Sequence, residues 1–312
     1  MNLLLAGRWD DAERDPWAHE LRRAMPQHRL LLRADEADAT TIEVAIVANP
    51  APGSLRHLPA LRLIQSLWAG VDRLLADPDL PAGVPIARMV DPAMNAAMAE
   101  TVLWAVLGLQ RGFFRYARQQ SEGRWQVHPQ RRADEVPVLV LGFGQMGRTA
   151  AGRLAEQGFP VTAWSRSAAA PVPGVATLHG DMALRRALPR ASIVVNLLPL
   201  TTRTRGLLDA GFIAALPRGA AIVNLGRGPH LVDDDLLAAL DRGVLGHAVL
   251  DVFDTEPLPS AHRYWRHDRV TLLPHVAAQT DARSAAQVVA ANIEALRTGR
   301  PPAHRVDGGR GY

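Results

Sequence analysis

A short apolar strand that runs into three spaced glycines and then into a helix leaves few folds open to a chain. VPVLVLGFGQMGRTAAGRLAEQG at 136–158 is such a stretch. The first glycine, Gly142, permits a tight turn, and Gly144 lets the backbone approach a pyrophosphate. The third, Gly147, lets the helix pack closely on the strand, while the helix's first N–H groups, from Gln145 and Met146 onward, face the phosphates. A glycine-rich turn alone is an ordinary feature of proteins. Here the flanks agree with it, because VPVLVL is apolar and β-branched and RTAAGRLAEQ is helical in composition. The stretch therefore reads as a dinucleotide clamp.

The chain has 312 residues, enough for two medium domains on the usual prior of about 100–200 residues each. Hydrophobic residues make up 48% and charged residues 21%, which supports globular cores and argues against bulk disorder. The start, MNLLLAGRWDD, lacks a cationic lead and a long apolar core, so it reads as a first strand and not as a signal peptide. No run approaches the 18 or so apolar residues of a membrane span, so no membrane partner and a cytoplasmic location are expected. The absence of cysteine excludes disulfides, thiolate zinc sites and a cysteine nucleophile, and no metal site is expected. All 35 basic residues are arginine, which excludes Schiff-base chemistry and a P-loop lysine. Those arginines are dispersed among acids, with a formal charge of only +4, so no nucleic-acid partner is expected either.

Along the chain, NLLLAG, IEVAIVA at 42–48 and LRLIQSL at 61–67 read as strands, with a helix through Ala18 to Met25 between the first two. Asp91–Pro92 supplies a capping acceptor and a first-turn proline, opening a long helix that runs toward Gln119. From Thr101 to Leu109 that helix is apolar nearly all round, which requires burial on every side, in a domain core or a subunit interface. After the fingerprint the rhythm continues with strands VTAW at 161–164, SIVVNLL at 192–198, AAIVNL at 220–225, GHAVLDV at 246–252 and RVTLLP at 269–274. Helices intervene near Asp209 and Asp233, each aspartate being placed to cap. Six strands in this order predict a doubly wound parallel α/β sheet, whose ligands sit at the strands' carboxyl ends. A last helix begins at about Ala282 and leads into a polar tail.

Three residues of chemical interest stand at those ends: Arg227 in NLGRG, Glu256 in LDVFDTEPLP and His275 in TLLPHVAA. Singly, each has an ordinary reading as a surface arginine, a solvated glutamate or a packed histidine. Their joint placement points to one reacting centre. Reduction of a 2-keto acid by hydride needs a proton donor for the carbonyl oxygen, a task suited to histidine. A carboxylate beside such a ring orients it and favours its cationic form, and an arginine fork holds a substrate carboxylate by two parallel bonds. Asp251, at the end of its strand, is either an acceptor for a carboxamide or a turn cap.

GFGQMG at 142–147, NLGRG at 224–228, LDVFDTEP at 250–257 and PHVAA at 274–278 together resemble the D-isomer-specific 2-hydroxyacid dehydrogenases, across essentially the whole chain. Within that family the chain is most similar to the glyoxylate/hydroxypyruvate reductase A branch, through AGVD at 69–72, WSRS at 164–167, PHLVDDDLLAALDRG at 229–243 and the ending VDGGRGY. The resemblance implies a catalytic set of Arg227, Glu256 and His275, and reduction of glyoxylate to glycolate and of hydroxypyruvate to D-glycerate. It implies a Rossmann cofactor domain at 97–281 and a smaller flavodoxin-like substrate domain built from both termini, 1–96 and 282–312. Cofactor contacts are expected from Gly142, Gly144, Gln145, Met146 and Gly147, from Leu198 and Pro199, and from Asp251.

The resemblance further implies that the backbone at Ala69, Gly70 and Val71 helps hold the substrate carboxylate, together with Arg227 and His275. Trp68 stands where the family more often has glycine; it either walls the pocket and limits side-chain size or packs inward. The family's long helix pairs two subunits, so a homodimer is expected, and Trp125 either reaches the partner or covers the helix end locally. Cofactor choice rests on the residues about 20 beyond the fingerprint, where an NAD enzyme carries an acid for the ribose hydroxyls. Trp164, Ser165, Arg166 and Ser167 supply no acid but one guanidinium and two hydroxyls, so NADPH is expected over NADH. Two other readings are an NAD-dependent oxidative dehydrogenase of the same family and a nucleotide-sensing corepressor, the latter disfavoured by the lack of a DNA-binding element.

Overall fold

The computed structural model describes residues 1–307, so the last five residues of the VDGGRGY ending lie outside the described residues. The chain divides into two compact units, one of residues 1–94 together with the chain from Thr280 onward, the other Asn95–Gln279.

The terminal unit is built on a parallel sheet of five strands: β1 (Asn2–Gly7), β2 (Arg29–Leu31), β3 (Ile42–Ala48), β4 (Leu63–Ser66) and β5 (Ile86–Ala87). Their order is β2-β1-β3-β4-β5, the flavodoxin-like arrangement. The sequence reading named three of them; β2 and β5, of three and two residues, are too short to show a period. The first helix, Asp11–Ala24, begins earlier than expected because Asp10 caps it through a capping box with Glu13. The helix Ala282–Arg297 starts where expected, and buried Asn292 ties it to β4 by a 2.7 Å bond from Nδ2 to Gln65 Oε1. Beyond that helix, Val306 N–H donates to Ile86 O, so the segment at Arg305–Val306 pairs with β5.

The central unit holds seven parallel strands: β6 (Val138–Leu141), β7 (Val161–Ser165), β8 (Val175–His179), β9 (Ile193–Asn196), β10 (Ala220–Asn224), β11 (Leu245–Leu250) and β12 (Val270–Leu272). The order β12-β11-β10-β9-β6-β7-β8 is doubly wound, with its reversal between β6 and β9. β8 is the strand missed from sequence. It sits at the sheet edge, three of its five residues (Ala176, Thr177 and His179) are exposed, and the proline-rich APVPG before it reads as a loop.

The helix that opens at Asp91–Pro92 stops at Arg111; Gly112 turns left-handed (φ +70°) and a second helix runs Phe113–Ser121, so the single long helix is corrected to two. The first is long and apolar enough to match a membrane span by length and composition. Its apolarity answers to the core instead, because Met98, Ala99, Val102, Ala105 and Val106 pack with Val138, Val140, Ala150, Leu154 and Val195. The expectation of burial on every side does not hold within the chain, since Trp104 is 43% exposed. Asp209 caps its helix by accepting from Phe212 N–H at 2.8 Å, but Asp233 lies inside the first turn and accepts instead from the Tyr264 hydroxyl.

Candidate active site

The parallel register sets where the chemistry begins. Trp164, Leu141, Asn196, Asn224, Leu250 and Leu272 are successive partners across β7, β6, β9, β10, β11 and β12. Every candidate loop of the central unit leaves the sheet just past that row.

After β6, Gly142 takes φ +95°, and a Cβ there would stand 2.7 Å from Leu197 O in the loop after β9. A Cβ on Gly147 would meet Gly142 O at 1.9 Å. These two glycines close the turn on itself and on its neighbour, whereas Gly144 is exposed with nothing within 4 Å of a built Cβ. Two glycines are thus required by the protein's own backbone, and the third leaves open space at the start of the helix Gln145–Glu156, as a phosphate requires. After β7, Ser165 Oγ donates to Ser167 O at 2.7 Å, so that hydroxyl braces the loop; Arg166 and Ser167 are exposed.

His275 and Glu256 meet directly, with Nδ1 2.9 Å from Oε2. An ionised carboxylate only accepts, so Nδ1 carries the shared proton and Nε2 is the ring's other working atom. Glu256 is itself oriented, since its Oε1 accepts from Phe253 N–H at 3.0 Å. The histidine side chain is 49% exposed and the glutamate 20%. His275 is also one of three non-glycine residues among those described with positive φ, at +56°. Asp251 holds it there: its carbonyl accepts from His275 N–H at 2.9 Å, and its carboxylate accepts from Val276 N–H at 2.7 Å and Ala277 N–H at 3.1 Å. Thr101 Oγ1 donates to Ala277 O and completes the brace. Burial raises the Asp251 carboxyl above its ordinary range, opposed by those two N–H donors. The capping geometry left open by the sequence is therefore present, and the carboxamide role is a separate matter.

Arg227 is half-buried, and its Nη1 donates to Gly226 O at 2.8 Å. Its loop is pressed against the one that carries Glu256, because a Cβ on Gly228 would lie 1.9 Å from the Phe253 carbonyl carbon. That close approach is a role of Gly228 that sequence reading missed.

Three more residues were missed: Asn196, Asn224 and His230, all fully buried. His230 Nδ1 lies 3.2 Å from Arg227 N and 2.9 Å from Asn196 Nδ2, two donors, so it accepts, and Nε2 donates to Pro199 O at 3.2 Å. Asn224 Nδ2 donates to Arg227 O, and its Oδ1 accepts from Asn196 Nδ2 and Gly226 N–H. Asn196 Oδ1 accepts from Leu198 N–H. The network fastens the Arg227 loop to the Leu198–Pro199 segment. A polar residue at the end of each of two apolar strands, IVVN and AAIVN, was the available signal. Trp68, Ala69 and Gly70 belong to the terminal unit, half-buried just beyond β4.

A doubly wound sheet with a glycine clamp at its switch point and a histidine–carboxylate pair at its strand ends defines the class of dinucleotide-dependent dehydrogenases. The model of the D-isomer specific 2-hydroxyacid dehydrogenase NAD-binding domain matches residues 103–277, and the chain belongs to that family. Glyoxylate/hydroxypyruvate reductase A of Serratia proteamaculans is 39% identical over the full length of both chains. A family member from Xanthobacter autotrophicus, solved with NADPH and MES, is 40% identical with a TM-score of 0.94, covering 100% of this chain and 99% of that one. An NADPH-dependent glyoxylate/hydroxypyruvate reductase from Sinorhizobium meliloti, solved with NADP and sulfate, is 34% identical with a TM-score of 0.93 and the same coverage.

His230→Phe should strand the Arg227 N–H and the Asn196 amide, at about 1–3 kcal/mol for each buried donor left unpaired. Urea unfolding should show that loss, and His230→Asn, which restores an acceptor near the Nδ1 position, should recover part of it. Equal stability of the wild type and His230→Phe would remove His230 from the centre of the network.

Proposed function

We propose that this chain reduces small 2-keto acids with NADPH, glyoxylate to glycolate and hydroxypyruvate to D-glycerate, with His275 as the proton donor. The observation that carries this reading is the 2.9 Å pair of His275 and Glu256 on a backbone clamped by Asp251. The glycine loop fits a dinucleotide, being closed by its own backbone at Gly142 and Gly147 and open at Gly144. Gly142, Gly144, Gln145, Met146 and Gly147 would hold the pyrophosphate, with Leu198 and Pro199 alongside, and Asp251 would accept from the carboxamide. Bound NADPH supplies the hydride for the keto carbon.

The chain's own residues do the rest. Arg227 binds the substrate carboxylate with its planar fork, and the backbone at Ala69 and Gly70 shares that carboxylate. Glu256 keeps the His275 ring in one orientation, and His275 delivers a proton from Nε2 to the carbonyl oxygen as the alcohol forms. Arg166, with Ser167, pairs with the 2′-phosphate, while Ser165 braces the loop; NADH is the weaker alternative because no acid is present to take the ribose hydroxyls.

A homodimer and a cytoplasmic location belong to the same reading. Trp104, Phe113 and Val127 are exposed, and Trp125 is 96% exposed, on the two helices after Asp91 and the segment that follows. So large an apolar group of side chains on one region is what a partner subunit covers. Sedimentation at micromolar concentration should give a dimer, and a stable monomer would refute it.

His275→Ala should lower kcat by about 10²–10⁴ while the dissociation constant for NADPH stays near that of the wild type. An active His275→Ala enzyme would sink the assignment. Arg166→Ala should weaken NADPH use by about 10- to 150-fold, the loss of a charge-assisted bond, and leave NADH use nearly unchanged. Equal loss with both cofactors would show that Arg166 does not meet the 2′-phosphate.

A further inference from the structure

The two loops that carry Arg227 and Glu256 are fastened to each other twice. At the near end a Cβ on Gly228 would collide with the Phe253 carbonyl, so the two backbones are in contact there. At the far end the Tyr264 hydroxyl donates to Asp233 Oδ1 at 2.8 Å. Asp233 opens the helix Asp233–Asp241 that follows the Arg227 loop, and Tyr264 sits in the short turn Arg263–Arg266 beyond Glu256. Glu256 therefore lies on a stretch, 253–264, both of whose ends are held by the stretch 228–233.

Tyr264 is fully buried, and a phenol so placed needs a partner for its hydroxyl. His262 completes the arrangement. Its Nδ1 accepts from Tyr264 N–H at 3.3 Å, so a neutral ring carries its proton on Nε2, which lies 3.4 Å from Asp233 Oδ2. The imidazole and phenol rings stand 4.4 Å apart. Each oxygen of Asp233 thus faces a donor from the same turn. A phenylalanine would fill the same volume, so what the hydroxyl adds is a fixed direction. The Tyr264 ring also meets the Phe253 ring at 6.4 Å and 48°, within the range of aromatic pairs. Phe253 N–H is the donor that holds Glu256 Oε1 at 3.0 Å.

We infer that Tyr264 is a positioning residue for the reduction: it anchors the far end of the Glu256 segment on Asp233 and, through Phe253, fixes the carboxylate that orients His275. The inference rests on the reading above, in which Glu256 orients the proton donor. A segment pinned at one end alone keeps many conformations, and pinning the second end removes most of them before substrate arrives. One backbone N–H holds Glu256 Oε1, so a movement of Phe253 passes directly to the His275 ring, 2.9 Å from Oε2. A misplacement of about 1 Å at a reacting group can cost on the order of 10²-fold in rate. The action of Tyr264 on the rate runs through Glu256.

The test is a double-mutant cycle in glyoxylate reduction with NADPH, using Tyr264→Phe, Glu256→Ala and the two together. Tyr264→Phe keeps the ring against Phe253 and loses only the bond, so kcat should fall about 3- to 10-fold while the dissociation constant for NADPH stays within about twofold. In the Glu256→Ala background the same change should alter kcat by less than about twofold, because the group it acts through is gone. An unchanged kcat in Tyr264→Phe, with or without a lower urea midpoint, overturns the inference, as does an equal loss in both backgrounds. Where Glu256→Ala is too slow to read, loss in kcat alone supports the inference and an equal loss in NADPH binding overturns it. Should Tyr264→Phe fail to fold, Asp233→Ala replaces it in the same cycle. A wild type that reduces glyoxylate no faster than Tyr264→Phe defeats only this inference, whereas a wild type that reduces no keto acid removes the reading beneath it as well.

Discussion

The in-register parallel ladder of the central sheet is the constraint on which the site depends. Six strands end at or within one residue of a single row, Trp164, Leu141, Asn196, Asn224, Leu250 and Leu272, so six loops leave along a single edge. A one-residue slip at any strand would turn its side chains to the opposite face and misplace the loop that follows. The row also brings Asn196 and Asn224 side by side, where their amides bond across the ladder at 2.8 Å. Two buried amides in a β-rich core are costly unless fully paired, so this bond and its extension to His230 help fix the register that aligns the loops.

From that row outward, backbone contacts carry the precision. Gly228 lets the Arg227 loop approach Phe253, whose N–H holds Glu256, whose carboxylate holds His275. Asp251 closes the chain of contacts by bonding three consecutive N–H groups from His275 to Ala277. A left-handed histidine costs a little backbone strain, which that clamp offsets. Apart from the Gly228 packing, each link is a neutral or charge-assisted hydrogen bond between groups already fixed by the sheet. Little side-chain entropy remains to be lost when substrate binds.

Much of this was legible before any coordinates. The fingerprint is local, since a tight turn, a close approach and a helix start are all written in adjacent residues, and Gly142 and Gly147 behave as their spacing predicts. The short strands were less legible: β2 and β5 have too few residues to show a period, and β8 follows a proline-rich stretch at an exposed edge. Gly112 breaks a helix whose composition runs on unbroken, because an isolated glycine in a helical pattern does not reveal whether the chain turns left-handed there. Asn196 and Asn224 lay inside the apolar runs SIVVNLL and AAIVNL, and His230 within PHLVDDDLLAALDRG, with nothing local to mark them as partners. Only when parallel strands are laid side by side do residues 28 and 34 positions apart become hydrogen-bond partners.

The sequence by itself determined the class of fold, the dinucleotide loop and the residue types at the strand ends, since these follow from local spacing, hydrophobic period and the needs of the chemistry. Tertiary structure decided which of those residues touch. That Asp251 spends its carboxylate on the histidine loop, that Ser165 braces its own turn and that Tyr264 reaches Asp233 depend on distances between segments far apart in the chain. Such distances are set by strand order and register, which pattern alone leaves open.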